Sequence, residues 1–385
     1  MSHFLFLEKN EKEIIGFIQK LVQAPSQNGI DPEIKIAKLV VQKLIDFGLE
    51  PEFIGNQNRP SILCRIGAGK KSLLLDAPLD TVSAGDQNHW KCPPFSGKII
   101  NGKLYGRGSA DCKAAIAIFS FVAAALKENL KGNLILTFDS NEQSGEFTGI
   151  KEILKVIQKP NAAMIGYSGT EEIAIGARGF LRLEIKTLGK PAHTGSRTGK
   201  GINAISKMNE IIRALESLRF EGKASKFFPF GAKITISEIE GGRAINLVPD
   251  ECKIKIDIRT LPGQTKEEIL NEIKDLIQDL KQKDKDLKAE VKPYQFEPAF
   301  LTPPKEEIVK IFYQNAQKIL KRKIPLTAYG GSGIGNEVAQ SNVPVIGGFG
   351  VDCDNIHAYD EYIVLNTILP VAKIYTQTII DFFKI

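Results

Sequence analysis

Paired cysteines are missing from this chain. Its five, Cys64, Cys92, Cys112, Cys252 and Cys353, are scattered and odd in number. That excludes a disulfide framework and a CxxC zinc site, and it suits reduced thiols in a cytoplasmic protein. Long apolar runs are missing too. The longest, Ala114 to Leu126, falls short of the roughly 20 residues a bilayer-spanning helix needs. The opening MSHFLFLEKNEKEII has no basic segment leading into an apolar core and a small-residue cleavage site, so no signal peptide is expected. Charge of one sign never runs into a block. The net +6 is spread along the chain, which argues against a nucleic-acid partner and a membrane anchor and leaves room for an anionic small substrate. No internal repeat or low-complexity segment is present.

What is there reads as an ordinary soluble composition, 43% hydrophobic and 25% charged over 385 residues, long enough for two domains. Apolar spacing predicts helices over Glu11–Val22 and Asp31–Phe47. Strands are expected at Glu52–Ile54, Ser61–Ile66, Ser72–Leu75, Leu134–Phe138 and Ala162–Ile165, with a helix at Ile150–Ile157. This alternation predicts an α/β layer with helices on both faces. From Arg178 the texture changes. Phe180–Thr187 alternates apolar and charged residues, as a sheet with one wet face does. A helix at Gly201–Leu218, strands at Lys233–Glu240 and Glu251–Arg259, a helix at Lys266–Lys281 and a last strand near Ala289–Pro293 complete a β-α-β-β-α-β order. That order predicts a ferredoxin-like insertion over residues 178–290. Residues 1–177 and 291–385 form the other domain, with a helix at Lys305–Leu320, a Gly-rich stretch Tyr329–Asn336, a strand at Val343–Gly347 and a helix at Leu365–Phe383.

Chemistry concentrates between Leu73 and Lys113, LLLDAPLDTVSAGDQNHWKCPPFSGKIINGKLYGRGSADCK. The apolar run ends in Asp76 and Asp80, and Gly106-Arg107-Gly108-Ser109-Ala110-Asp111 opens the apolar helix. Both acids fall just past strand ends, where open α/β sheets place ligands. This stretch resembles the M20 family of zinc-dependent peptidases and deacylases, the acetylornithine deacetylase and succinyl-diaminopimelate desuccinylase group. That family writes H-x-D at the strand end and G-R-G-x-x-D-[MN]-K before the helix. The second motif is intact apart from Cys112. In the first, Pro78-Leu79-Asp80 stands where His-x-Asp belongs.

The resemblance implies a zinc-exopeptidase-like catalytic domain, an inserted lid that dimerises, and two zinc ions about 3.5 Å apart sharing an aspartate and a water. Carried over position by position, the shared aspartate is Asp111, the general base Glu142 and the C-terminal histidine ligand His357. Gln143 takes the place of a ligand glutamate, and Tyr167 that of the first metal's acidic ligand. Asp80 is the acid that would orient the missing histidine. In the insertion, Gly189–Thr194 implies His193 as oxyanion support, Gly241–Pro249 implies Asn246 as a substrate contact, and Asp257-Ile258-Arg259 implies Arg259 as the clamp on a substrate carboxylate, which a planar guanidinium suits. Gly330-Gly331-Ser332-Gly333 keeps Ser332 of the family's G-G-[ST]-D-x-R but has glycines for its Asp and Arg.

Three of the expected metal ligands are thus replaced by groups without the needed charge or lone pair, and a catalytic zinc typically has three protein ligands. The resemblance therefore implies an amidohydrolase for a small N-acyl amino acid or dipeptide whose dizinc centre is impaired or absent, with one weakly held divalent ion or none on Asp111, His357 and Gln143. Two alternatives stand beside it. One is a metal-free homologue that binds an amino-acid-like ligand without cleaving it. The other is a different acid/base reaction in the same cleft using Glu142, Tyr167 and His193. Bland roles compete: Asp111 as a helix cap, Asp80 as a loop cap, Glu142 as a solvated acid, Cys112 as core packing. His3 and His89 have no motif around them.

Overall fold

A computed structural model describes residues 2–128, 130–220, 222 and 224–384. The chain divides into two units. The first comprises Met1–Ala177, Leu301–Tyr329 and Gly333–Ile385; the second comprises Arg178–Phe300 and Gly330–Ser332.

In the first unit a mixed sheet runs in the order Pro51–Gly55, Pro60–Ile66, Asn133–Phe138, Ser72–Asp76, Ala162–Gly166, Val345–Phe349, Ile173–Ala177. Ser72–Asp76 lies parallel to both Asn133–Phe138 and Ala162–Gly166, and Ala162–Gly166 lies parallel to Val345–Phe349. These strands are buried along their length, as parallel strands covered on both faces are. Four adjacent strands therefore release their chains at one edge, and the expected site residues follow those ends. The helix Ala114–Leu126 is almost wholly buried. With the turn before it, the window Ser109–Leu126 is long and apolar enough to cross a membrane, yet it is 94% buried inside the protein. That makes it a core helix.

Several pieces of this unit carry too little pattern to be read from sequence, among them the strands Ile173–Ala177 and Leu326–Tyr329 and the helix Ile334–Gln340. The helix Ser2–Lys9 precedes the expected first helix. The segment Leu365–Thr367 is a separate 3-10 turn before the helix Ile368–Phe383. A small antiparallel sheet orders Cys353–Asp354, Tyr362–Val364, Lys103–Tyr105 and Lys98–Ile100. Its register sets Tyr362 opposite Tyr105 and Val364 opposite Lys103. The loop beginning at Gly106 is thereby brought against the loop ending at Glu361, across some 250 residues of chain.

The second unit is an antiparallel sheet in the order Lys233–Gly241, Glu251–Thr260, Gly179–Leu188, Lys288–Glu297. Helices Ala204–Ser217 and Lys266–Lys283 cover one face. Leu181, Leu183, Ile185, Ile254, Ile256 and Ile258 point into that layer. Asn203 caps the first helix by accepting from the Ile205 and Ser206 N–H groups, and Thr265 with Glu268 forms a capping box on the second, which satisfies donors a helix start leaves open. The last strand runs on to Glu297, and the unit ends at Phe300 rather than at 290. Proline at 293 reads as a strand end in sequence. Here it lies on an edge strand, paired on one side, at a register shift between Pro293 and Gln295, where no ladder N–H is needed.

Ile256 lies mid-sheet and 1% exposed. Ile256→Ala is expected to cost this unit about 2–5 kcal/mol, read by chemical denaturation followed by circular dichroism. A loss below about 1 kcal/mol would mean that the layer closes over the cavity.

Candidate active site

The loops after the parallel strands gather Asp80, Asp111, Glu142, Gln143, Tyr167 and His357 within the first unit. Asp80 is fully buried. Its carboxylate accepts from the Asn28 side-chain amide at 2.8 Å, the Glu142 N–H at 2.9 Å and the Gln143 N–H at 3.0 Å. Burial pushes its pKa up, and these donors pull the other way. Asp80 therefore holds the 141–143 loop, and the bonds it makes are those of a positioning group. Asn28, which sequence reasoning passed over, also donates to Asn141 Oδ1 at 2.8 Å.

Asp111 stands 2.7 Å from His357 Nε2 through Oδ2, which also receives the Gln143 side-chain N–H at 3.3 Å. Its Oδ1 accepts from Cys112 Sγ. Burial drives the Asp111 carboxyl up, but His357, Cys112 and Gln143 outweigh it and hold it below the usual range. His357 is pushed up by the same bond, against its own burial, and its side chain is about half exposed.

Glu361 fixes this corner and was missed, although it lies within the His357 motif. It is fully buried. Its Oε1 accepts from the Ala110 N–H at 2.9 Å and the Asp111 N–H at 3.2 Å; its Oε2 accepts from the Gly108 N–H at 3.0 Å and from Arg107. Arg107 is also buried, beside Trp90, and donates onward to the Ala358 carbonyl at 3.0 Å. The signal was in the sequence: an arginine in the G-R-G-x-x-D motif and a glutamate in the His357 motif, neither of which belongs in an apolar interior without a partner. Lys113, fully buried, donates to the Ala24 carbonyl at 2.9 Å, and burial brings it down to about 7.

Glu142 is buried and receives the Tyr167 hydroxyl at 3.0 Å. Burial and the charges of Asp111 and Asp80 raise it well above the carboxylate range. Tyr167 is likewise raised by burial and by Glu142, so it stays a neutral donor. Beneath them Asp76 and Asp139 are both fully buried, Asp76 pushed up to about 7 by burial. Of these acids, Asp80 and Glu142 are met by neutral donors and Asp111 by Gln143, Cys112 and His357. Among the described residues, no group of three or more His, Cys, Asp or Glu side chains is arranged to hold a metal ion.

The second unit carries the other expected residues. His193 and Asn246 come from separate loops that meet: His193 bridges to Leu247, and the Thr194 N–H donates to the Asn246 carbonyl at 3.1 Å. Both side chains are exposed, with His193 Nδ1 accepting from the Gly195 N–H at 3.0 Å. Arg259 is held through Nε by Asp257 at 2.7 Å, and Arg182 Nε takes that acid's other oxygen at 3.1 Å. Ser332 spends its hydroxyl on the Arg178 carbonyl at 2.6 Å.

The layered α/β core, the acidic loops at its strand ends and the G-R-G-x-x-D loop define the zinc-exopeptidase class, and comparison with known sequences narrows it. Residues 74–381 match the profile of peptidase family M20/M25/M40, and the chain belongs to that family. It is 27% identical to an acetylornithine deacetylase of Buchnera aphidicola, over 96% of this chain and 97% of that one. It is 24% identical to a succinyl-diaminopimelate desuccinylase of Pelagibacter ubique, over 96% and 98%. In fold it is similar to the crystal structure of a tripeptidase from Staphylococcus aureus, with a TM-score of 0.79 at 22% identity, covering 98% of this chain and 99% of that one.

Glu361→Ala is expected to destabilise the first unit by about 3–5 kcal/mol, because it strands a buried guanidinium. Glu361→Gln should recover part of that. Urea unfolding of both variants is the measurement, and equal stability of Glu361→Ala and the parent would show that the pair holds nothing.

Proposed function

We propose that this M20 protein recognises an N-acyl amino acid or short peptide in a cleft that does without a zinc pair. One observation carries the reading: two neutral hydrogen-bond donors occupy the places of two expected metal ligands. Tyr167 gives its hydroxyl to Glu142, and Gln143 gives its amide N–H to Asp111. Pro78 removes a third ligand. A dication loses strongly when a neighbouring carboxylate becomes an amide, since each unit charge at contact distance is worth several kcal/mol even at an effective dielectric of about 20. The residues present do not fit a zinc pair.

What this chain's own groups do is what the resemblance implies for each of them. Arg259, steadied by Asp257, is the clamp for the ligand's carboxylate. His193 and Asn246 address the acyl oxygen. Asp111, Glu142, Tyr167 and His357 form the polar floor. Without a cation to acidify a water, amide cleavage lacks its nucleophile, so retention and release of the ligand is the activity that remains in this reading. A homodimer through the second unit belongs to this reading, supported by its open edge strand Lys233–Gly241 with Ile239 exposed, a surface that invites pairing. A cytoplasmic setting goes with the five free cysteines. A sedimentation run returning only monomer would remove the dimer.

A second reading has one observation in its favour. His357 and Asp111 already meet, with the Gln143 amide beside them, so one divalent ion in exchange for their shared proton would leave a slow single-metal amidohydrolase.

Metal analysis after dialysis against zinc separates the two. The expected result is no stoichiometric zinc, with calorimetric binding of N-acetyl-L-ornithine or a glycyl dipeptide that survives a chelator. The variant Pro78→His/Gln143→Glu/Tyr167→Glu should then take up zinc. One tightly held equivalent in the parent, with chelator-sensitive cleavage, would favour the second reading; a full pair would overturn the first.

A further inference from the structure

Tyr167 is lodged by more than its hydrogen bond. A methyl group at Gly333 would overlap its hydroxyl oxygen and lie 3.1 Å from the ring carbon bearing it. One at Gly350 would overlap its carbonyl oxygen, and the backbone there is pinned by the Gly169 N–H on the Val351 carbonyl at 2.7 Å and the Gly350 N–H on the Gly169 carbonyl at 3.0 Å. Its ring meets Tyr329 edge-on at 6.0 Å, and Tyr329 in turn lies where a side chain at Gly348 would have to go. Three glycines in the runs Gly330–Gly335 and Gly347–Gly350 thus lack side chains where two tyrosines need the room. Neither Gly333 nor Gly348 has a positive φ, so close approach is what demands glycine here.

We propose that Gly333 is a positioning residue for Tyr167, and that the seated phenol is a built-in substitute for a cation. It fills the room beside Glu142 and supplies permanently the positive end of a dipole that this crowded set of carboxyls requires. This deepens the metal-free reading and rests on it, but it makes a separate claim: that the phenol excludes the ion, beyond the mere loss of ligands. A hydrogen-bonded neutral donor satisfies a buried acid without importing charge.

Thermal unfolding of the parent, Gly333→Ala, Tyr167→Phe and the double variant tests the seat. Gly333→Ala should lower Tm by several degrees in the parent and by less than about half as much in the Tyr167→Phe background, where the overlapping oxygen is gone. Equal losses in both backgrounds overturn the positioning role. The second measurement is calorimetric titration with zinc chloride alone. Tyr167→Ala and Gly333→Ala should bind zinc at least about tenfold more tightly than the parent, and an unchanged affinity overturns the substitution. If Gly333→Ala does not fold, Tyr167→Ala carries the zinc comparison and the double variant the thermal one. A parent that itself takes up a zinc pair sinks the metal-free reading, whereas the Gly333–Tyr167 coupling fails only in the melting cycle.

Discussion

The buried ion pair of Arg107 with Glu361 is the constraint on which the cleft depends. Both side chains lie in the interior, where a charge without a partner is prohibitively costly. Neither can be satisfied until residues from the first third of the chain and from its last thirty or so have come together. Glu361 does more than neutralise. Its two oxygens collect the N–H groups of Gly108, Ala110 and Asp111, and so dictate the direction in which the Asp111 side chain leaves the backbone. The small sheet that pairs Lys103–Tyr105 with Tyr362–Val364 sets the register of that meeting.

From this corner the rest of the floor follows in sequence. Asp111 meets His357, Gln143 reaches Asp111, Asp80 ties down the backbone of Glu142 and Gln143, and Tyr167 closes on Glu142. Each acid in this group is matched by donors that carry no charge, save for His357. The family's motif loops surround a centre in which two neutral donors, Tyr167 and Gln143, face the carboxylates of Glu142 and Asp111. Backbone amides hold these loops in place: Asp80 takes the N–H groups of Glu142 and Gln143, and Glu361 those of Gly108, Ala110 and Asp111.

Much of this was legible in the residues. Period-two alternation in Phe180–Thr187 and the β-α-β-β-α-β order announced the second unit, and the apolar runs ending in Asp76 and Phe138 announced the α/β core. The motifs brought Asp111, Glu142, Gln143, Tyr167 and His357 to one place, as the structure does. What stayed hidden depends on tertiary contacts. The role of Asp80 as a clamp on backbone N–H groups needs the loop's path. Asn28 has no local pattern that marks it, and the partners of Glu361 are settled only when the two ends of the chain meet. The strand through Pro293 was cut short because a proline's missing N–H is harmless only on an edge, and edge status is a property of the whole sheet.

The split of the first unit between the two ends of the chain has a consequence for synthesis. As the polypeptide leaves the ribosome, residues 178–300 emerge as one uninterrupted stretch with all four strands and both helices of their layer. They can reach their final packing while still tethered. The earlier segment cannot: its strand Ala162–Gly166 waits for Val345–Phe349, and its core helix for the terminal helix Ile368–Phe383. Until the last residues are made, that half exposes unpaired strand edge and apolar surface, the condition under which nascent chains aggregate or call on chaperones. The part that carries the cleft is therefore the last to be protected.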